Sequence, residues 1–143
     1  MDRSENDYNE LYGIVDLQVR GDDRGNLVVV EQLKEVPFEL KRMFAIYGTV
    51  GDEPRGSHAN LRSRFGFLCL KGRCRVRLMA PDGEFASVDL DSPSKLLWIE
   101  RMVWKEMCDF SEDCVLVVVS DNLYDPDEYI HSYDDYKNMK ISG

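Results

Sequence analysis

Apolar and polar residues alternate along this chain in short runs, each cut off by glycine, proline or an Asp/Asn cluster. That period predicts strands over residues 26–33, 41–47, 65–70, 74–79, 85–90, 96–99, 102–107 and 114–119. Residues 22–25 (Asp-Asp-Arg-Gly) and 80–83 (Ala-Pro-Asp-Gly) read as turns. Val36-Pro37-Phe38 breaks the first run, and residues 48–56 form a polar loop with Gly51, Pro54 and Gly56. Lys71-Gly72-Arg73 lies between two runs and predicts a tight hairpin. The 114–119 run is the most apolar and is expected at the centre of a sheet.

The tail changes period. Asp125 followed by Pro126 and two further acids is a helix-start signal. Tyr129, Ile130, Tyr133 and Tyr136 then recur every three or four residues, giving a short helix one apolar side. The expected organisation is one domain over 1–143. Residues 1–11 are flexible, 12–124 form a β-sandwich and 125–138 a terminal helix. The class is all-β, a sandwich or barrel with one helix appended.

Composition narrows this further. Of 143 residues, 43% are apolar and 31% charged, as in a globular domain with a real core. No apolar run approaches the ~20 residues that span a bilayer, and the first residues lack a signal-peptide core, so a cytoplasmic address and no membrane partner are expected. A net charge of −9 and a pI near 4.7 argue against nucleic acid as partner. The middle is locally basic through Arg55, Arg62, Arg64, Lys71, Arg73, Arg75 and Arg77, which suits a small anion such as a nucleotide diphosphate. The plainer reading is that alternating Arg73, Arg75 and Arg77 solvate the outer face of a strand. Four cysteines without CxxC spacing ask for neither zinc nor disulfides, and Cys69 reads as a buried apolar thiol.

Candidate chemistry centres on Arg55-Gly56-Ser57-His58-Ala59-Asn60. The chain has two histidines, and His58 falls in the Gly/Pro-rich loop between two strands. An imidazole there is suited to acid–base work near neutral pH; the alternative is a surface histidine with no role.

Several pieces follow one another in a familiar order: Asp23-Arg24-Gly25, Pro37-Phe38, Lys41-Arg42, Arg55 to Ala59, Lys71-Gly72, Met102-Val103-Trp104, Asp109-Phe110-Ser111, and the run from Tyr124 to Tyr136. Over roughly residues 12–136 the chain resembles the cupin-type sugar 3,4-ketoisomerases related to the WxcM C-terminal domain. The resemblance implies a cupin jelly roll (a double-stranded β-helix) and a homodimer that exchanges N-terminal strands. It implies movement of the ketone of a dTDP-4-keto-6-deoxyhexose from C4 to C3 through an enediol, with no cofactor. His58, Asn60 and Tyr47 are the implied catalytic positions. Arg24, Arg42 and Arg55 are candidates for the pyrophosphate or the enolate, with a salt bridge to an acid as the alternative for each. Trp104 is a candidate to stack on a base or sugar, although aromatics in sandwich strands are more often core. A cupin metal centre needs more histidines than His58 and the distant His131, with Asn60 and Arg64 where ligands would stand, so no metal is expected.

Three positions depart from the family pattern. Asn60 replaces the second histidine of Arg-Gly-x-His-Ala-His, Phe65 replaces a glutamine, and His131 replaces an arginine. An amide cannot exchange protons. The alternative function is therefore a non-catalytic or diverged nucleotide-sugar-binding cupin, with an epimerase ranking third.

Overall fold

Strands with one apolar face bury it by packing face to face. In the computed structural model, which describes residues 10–142, two five-stranded sheets do so. The strands are β1 (Tyr12–Asp16), β2 (Arg20–Asp22), β3 (Gly25–Leu27), β4 (Arg42–Tyr47), β5 (Arg55–Asn60), β6 (Phe65–Lys71), β7 (Cys74–Met79), β8 (Phe85–Leu90), β9 (Lys95–Ile99), β10 (Trp104–Cys108), β11 (Val115–Ser120) and β12 (Tyr129–Ile130). One α-helix, α1 (Tyr133–Ser142), ends the described chain. The first sheet runs β1-β9-β6-β11-β4 and the second β12-β5-β10-β7-β8, all antiparallel, with β2 and β3 as a separate hairpin. This is the all-β, cupin-like jelly roll expected. The flexible segment expected at 1–11 lies largely outside the described residues.

The core fills the space between the sheets. Phe65, Phe67 and Cys69 of β6, Val76 and Leu78 of β7, Leu97 and Ile99 of β9, and Leu116 and Val118 of β11 are buried there. β6 is apolar on both faces because its far side is covered too. Val36 and Phe38 fold back over Leu68, Leu96 and Trp98. That cover explains why the strand predicted over 26–33 stops at Leu27: the segment beyond serves as a lid on the first sheet.

Two further expectations change. Residues 65–70 and 74–79 are strands but not a hairpin, since β6 belongs to one sheet and β7 to the other. The tight corner between them depends on Gly72, with φ +70°. A Cβ there would lie 2.2 Å from Ser111 Oγ and 2.6 Å from Asp113 Oδ1. Gly72→Ala is expected to destabilise the fold by about 1–3 kcal/mol, measurable as a lowered thermal midpoint.

The tail is not one helix from residue 125. Asp125 does cap a turn, its carboxylate accepting from Asp127 N at 3.0 Å, but only one 3-10 turn forms, Pro126–Glu128. The fully buried Glu128 then pins the chain to the barrel, accepting from the backbone N of Arg62 (2.9 Å) and Ser63 (2.8 Å) and from the Ser63 hydroxyl. Held there, Tyr129 and Ile130 extend as β12 against Asn60 and Ala59 of β5. The helix restarts at Tyr133, its first turn capped by Ser132 Oγ, which accepts from Asp135 N at 3.2 Å.

Among the described residues no helix is long and apolar enough to cross a membrane. The four cysteines are free and buried. Cys69, Cys74 and Cys114 bring their Sγ atoms within 4.8 Å of one another, which their spacing in the sequence did not suggest. Burial pushes the Cys69 thiol up to about 12, so it packs as a neutral apolar group.

Candidate active site

The Arg55–Asn60 segment is strand β5, not a loop. The glycine and polar residues that suggested a loop make a β-bulge instead. β10 pairs Met107 with Arg55 and Glu106 with Gly56, then jumps to pair Lys105 with His58, leaving Ser57 unopposed. Gly56 and Ser57 take positive φ, +87° and +55°. The contacts of Gly56 are tight, a Cβ there meeting Lys105 O and Met107 Sδ at 3.2 Å. Ser57 Oγ donates to Glu106 Oε2 at 3.1 Å on the other side of the sheet.

The bulge decides which side chains meet. Lys105 and Met107 lie two apart on β10 and share a face. Their partners Arg55 and His58 therefore share that face as well, although an unbroken strand would send residues three apart to opposite sides. That face opens on a cavity of about 240 Å³ between the sheets, walled by Arg55, His58, Phe65, Lys105, Met107 and Tyr129 among others.

The imidazole of His58 is half-buried, with the Tyr129 ring 4.8 Å away between centroids and the His131 ring at 5.9 Å. Burial lowers its pKa to about 4, the Lys105 charge acts in the same direction, and a hydrogen bond with the Gly56 backbone opposes both. At neutral pH it is an uncharged base.

Lys105 is 2% exposed. Its Nζ donates to Asn60 Oδ1 at 2.8 Å and lies 4.5 Å from the centre of the Phe65 ring. Burial lowers its pKa to about 7, with the Glu128 charge acting in opposition. Burial pushes the Glu128 carboxyl up, but hydrogen bonds from the Ser63 hydroxyl and the Arg62 and Ser63 amides outweigh it and hold the group below its ordinary value.

The residues singled out from the sequence separate. His58 and Arg55 reach the cavity wall. Asn60 is buried behind it, its Oδ1 engaged by Lys105 and its Nδ2 without a partner. Arg42, on the facing sheet, holds its guanidinium 5.6 Å from the Phe44 and Tyr124 rings and 6.0 Å from Phe65, with Nε and Nη2 buried and unpaired. Arg42 is thus a cation with unused donors beside the cavity.

Tyr47, Arg24 and Trp104 are not brought there. Tyr47 is 74% exposed, because alternation along β4 turns Phe44 and Ile46 inward and Tyr47 outward. Arg24 sits in the exposed β2–β3 turn, its Nε 3.1 Å from Asp22 Oδ2. Trp104 lies on the face of β10 opposite Lys105, packed with Ala59, Ile130 and Tyr136 under the terminal helix. It is a core residue, the ordinary fate of an aromatic in a sandwich.

Lys105, Glu128 and Tyr129 are the residues that reading the sequence missed. A lysine and glutamate in Trp104-Lys105-Glu106-Met107 look like a strand's solvent face, and nothing in the spacing says that Lys105 points inward. The acid–Tyr–Ile run passed for a helix start, which hid Glu128 and Tyr129.

Comparison with known proteins agrees with this architecture. The family description FdtA, WxcM-like, C-terminal, matches residues 10–141. The chain is 44% identical over 117 residues to TDP-4-oxo-6-deoxy-alpha-D-glucose-3,4-oxoisomerase of Aneurinibacillus thermoaerophilus, covering 81% of this chain and 83% of that enzyme. A 3,4-ketoisomerase from Helicobacter canadensis superposes with a TM-score of 0.86 at 35% identity, over 91% of this chain and 97% of its own. QdtA, a sugar 3,4-ketoisomerase from Thermoanaerobacterium thermosaccharolyticum solved with TDP, does so at 0.86 and 34% identity, over 92% and 95%.

Proposed function

The chain belongs to the FdtA family of WxcM-like C-terminal proteins, and from that premise we propose that it is a sugar-nucleotide 3,4-ketoisomerase. Its substrate is a dTDP-4-keto-6-deoxyhexose, and its place is in nucleotide-sugar biosynthesis. The observation that carries the reading is the uncharged imidazole of His58 on a cavity wall, in a chain so similar to an oxoisomerase.

Moving a ketone to the neighbouring carbon needs a base for the C3 proton, donors for the enolate oxygen, and return of a proton to C4. His58 is the base. Its low pKa keeps it ready to accept a proton at neutral pH, and Tyr129 holds the ring from one side. Arg55 and Arg42 are the cations for the diphosphate or the developing oxyanion, since a guanidinium offers paired donors to such oxygens. Asn60 fixes Lys105. Tyr47, Arg24 and Trp104 receive no role in this cavity.

The exposed edge of β1, with Tyr12 and Ile14 open to solvent, supports the homodimer expected from the sequence. Sedimentation that finds only monomer would remove that part of the reading. The cytoplasmic address is retained as part of it.

The test is to incubate the protein with dTDP-4-keto-6-deoxyglucose in heavy water and follow the sugar by NMR. Appearance of the 3-keto isomer is the expected result. An unchanged sugar alongside tight TDP binding would replace the isomerase with a nucleotide-sugar-binding protein, the alternative that Asn60 raises.

A further inference from the structure

We propose that Lys105 is the second proton-transfer residue of this site, exchanging protons with the sugar oxygens while His58 carries one between the carbons. The proposal rests on the isomerase reading and adds to it a residue that the sequence did not single out.

The geometry comes first. Lys105 and His58 are directly opposed on β10 and β5 and share the face that walls the cavity. Lys105 is nearly inaccessible, yet among the described residues it forms no ion pair; its partners are one amide oxygen and one ring face. Burying an ammonium with so little compensation is unfavourable, and such a group on a cavity wall is a candidate for a working residue. The charged and titratable groups around it are His58 and Arg55 on β5, Tyr129 on β12, Glu128 in the turn, His131 beyond β12, and Arg42 on the facing sheet. Glu128 favours the ammonium and burial opposes it. The balance leaves Lys105 titrating near 7, where it can both give and take a proton.

The chemistry requires two transfers, one between carbons and one between oxygens. His58 removes the C3 proton, the C–H pair becomes the C3–C4 double bond, and the carbonyl pair moves onto O4, which takes a proton from the Lys105 ammonium. The neutral amine then accepts the O3 hydroxyl proton as C3=O forms. The C3–C4 pair recovers at C4 the proton held by His58. Both residues return to their starting states, with no external oxidant or reductant.

The experiment measures kcat against pH for the parent, Lys105→Met and Lys105→Arg, with TDP affinity as the control for a folded site. The parent is expected to lose activity above about pH 7, as the acid is deprotonated. Lys105→Met, close in volume and free of a buried charge, is expected to fold, to keep TDP affinity within about threefold, to lose about 10²–10³ in kcat and to show no limb near pH 7. Lys105→Arg keeps a cation but cannot release a proton, and is expected to be equally impaired. A Lys105→Met or Lys105→Arg enzyme that retains the limb and activity within tenfold of the parent would overturn the proposal while leaving the isomerase reading in place. A parent that converts no substrate at any pH would sink both.

Discussion

Replacing His58 with asparagine is expected to reduce kcat by about 10²–10⁴, equivalent to about 3–5 kcal/mol of transition-state stabilisation. An amide of similar size can fill the site between Tyr129 and Lys105 but cannot take the C3 proton. KM and TDP affinity should change little, since the base acts on the reacting carbon and not on the nucleotide. Steady-state kinetics on dTDP-4-keto-6-deoxyglucose checks the rate, and calorimetric TDP binding checks the site. Unchanged turnover would remove His58 from the base role.

The same substitution has a signature in stability. The His58 pKa is about 4 in the fold against an ordinary 6.5. Between those values the unfolded chain binds a proton that the folded chain refuses, so stability is lost as pH falls from 6.5 towards 4. Glu128 acts in the same direction. Its carboxyl lies below its ordinary 4.5 in the fold, so its contribution is lost further down, as pH falls below that value. His58→Asn should therefore flatten part of the acid side of the stability profile, read by denaturation at fixed pH values from 7 to 4.

Glu128→Ala is expected to have the largest effect on the fold, a loss of about 3–5 kcal/mol. The carboxylate is fully buried and holds two backbone amides and the Ser63 hydroxyl, all of which the substitution would strand. It is also the anion that favours the Lys105 ammonium. Removing it should loosen β12, draw Tyr129 away from His58 and lower the Lys105 pKa further. Glu128→Gln keeps one acceptor and the volume, so a smaller loss is expected. Chemical denaturation ranks the three proteins. Equal stability of parent and Glu128→Ala would show that the turn does not depend on this carboxylate.

How much of this was legible beforehand differs by residue. The strands around Val76 and Val88 follow from simple alternation, because each has one inward and one outward face. The one around Val118 follows from its unbroken apolar run, as befits a strand flanked on both sides. The 26–33 run misled because Val28 and Val30 satisfy their burial as a cover over the first sheet, a tertiary outcome that local spacing does not encode. The tail misled for a related reason: its cap signals were real, but the buried carboxylate of Glu128 outweighed helix propagation after one turn. Within the site, His58 and Arg55 were visible as residue types in a motif. Lys105 was not, since direction within a strand depends on register and register depends on partners far along the chain.

The bulge at Gly56 and Ser57 also sets how this strand can change by insertion or deletion. Its one surplus residue acts as a frame shift written into the sheet: His58, Ala59 and Asn60 are in one frame and Arg55 in the other. Deleting Ser57 would leave Arg55 and His58 two apart, on one face by ordinary pleating and still opposite Met107 and Lys105. Straightening the bulge with its residues kept would instead turn one of the two to the wrong side. What the site requires is spacing and bulge together: three apart with the surplus residue, or two apart without it. In this short stretch the spacing of the motif is as much a part of its chemistry as the residues themselves.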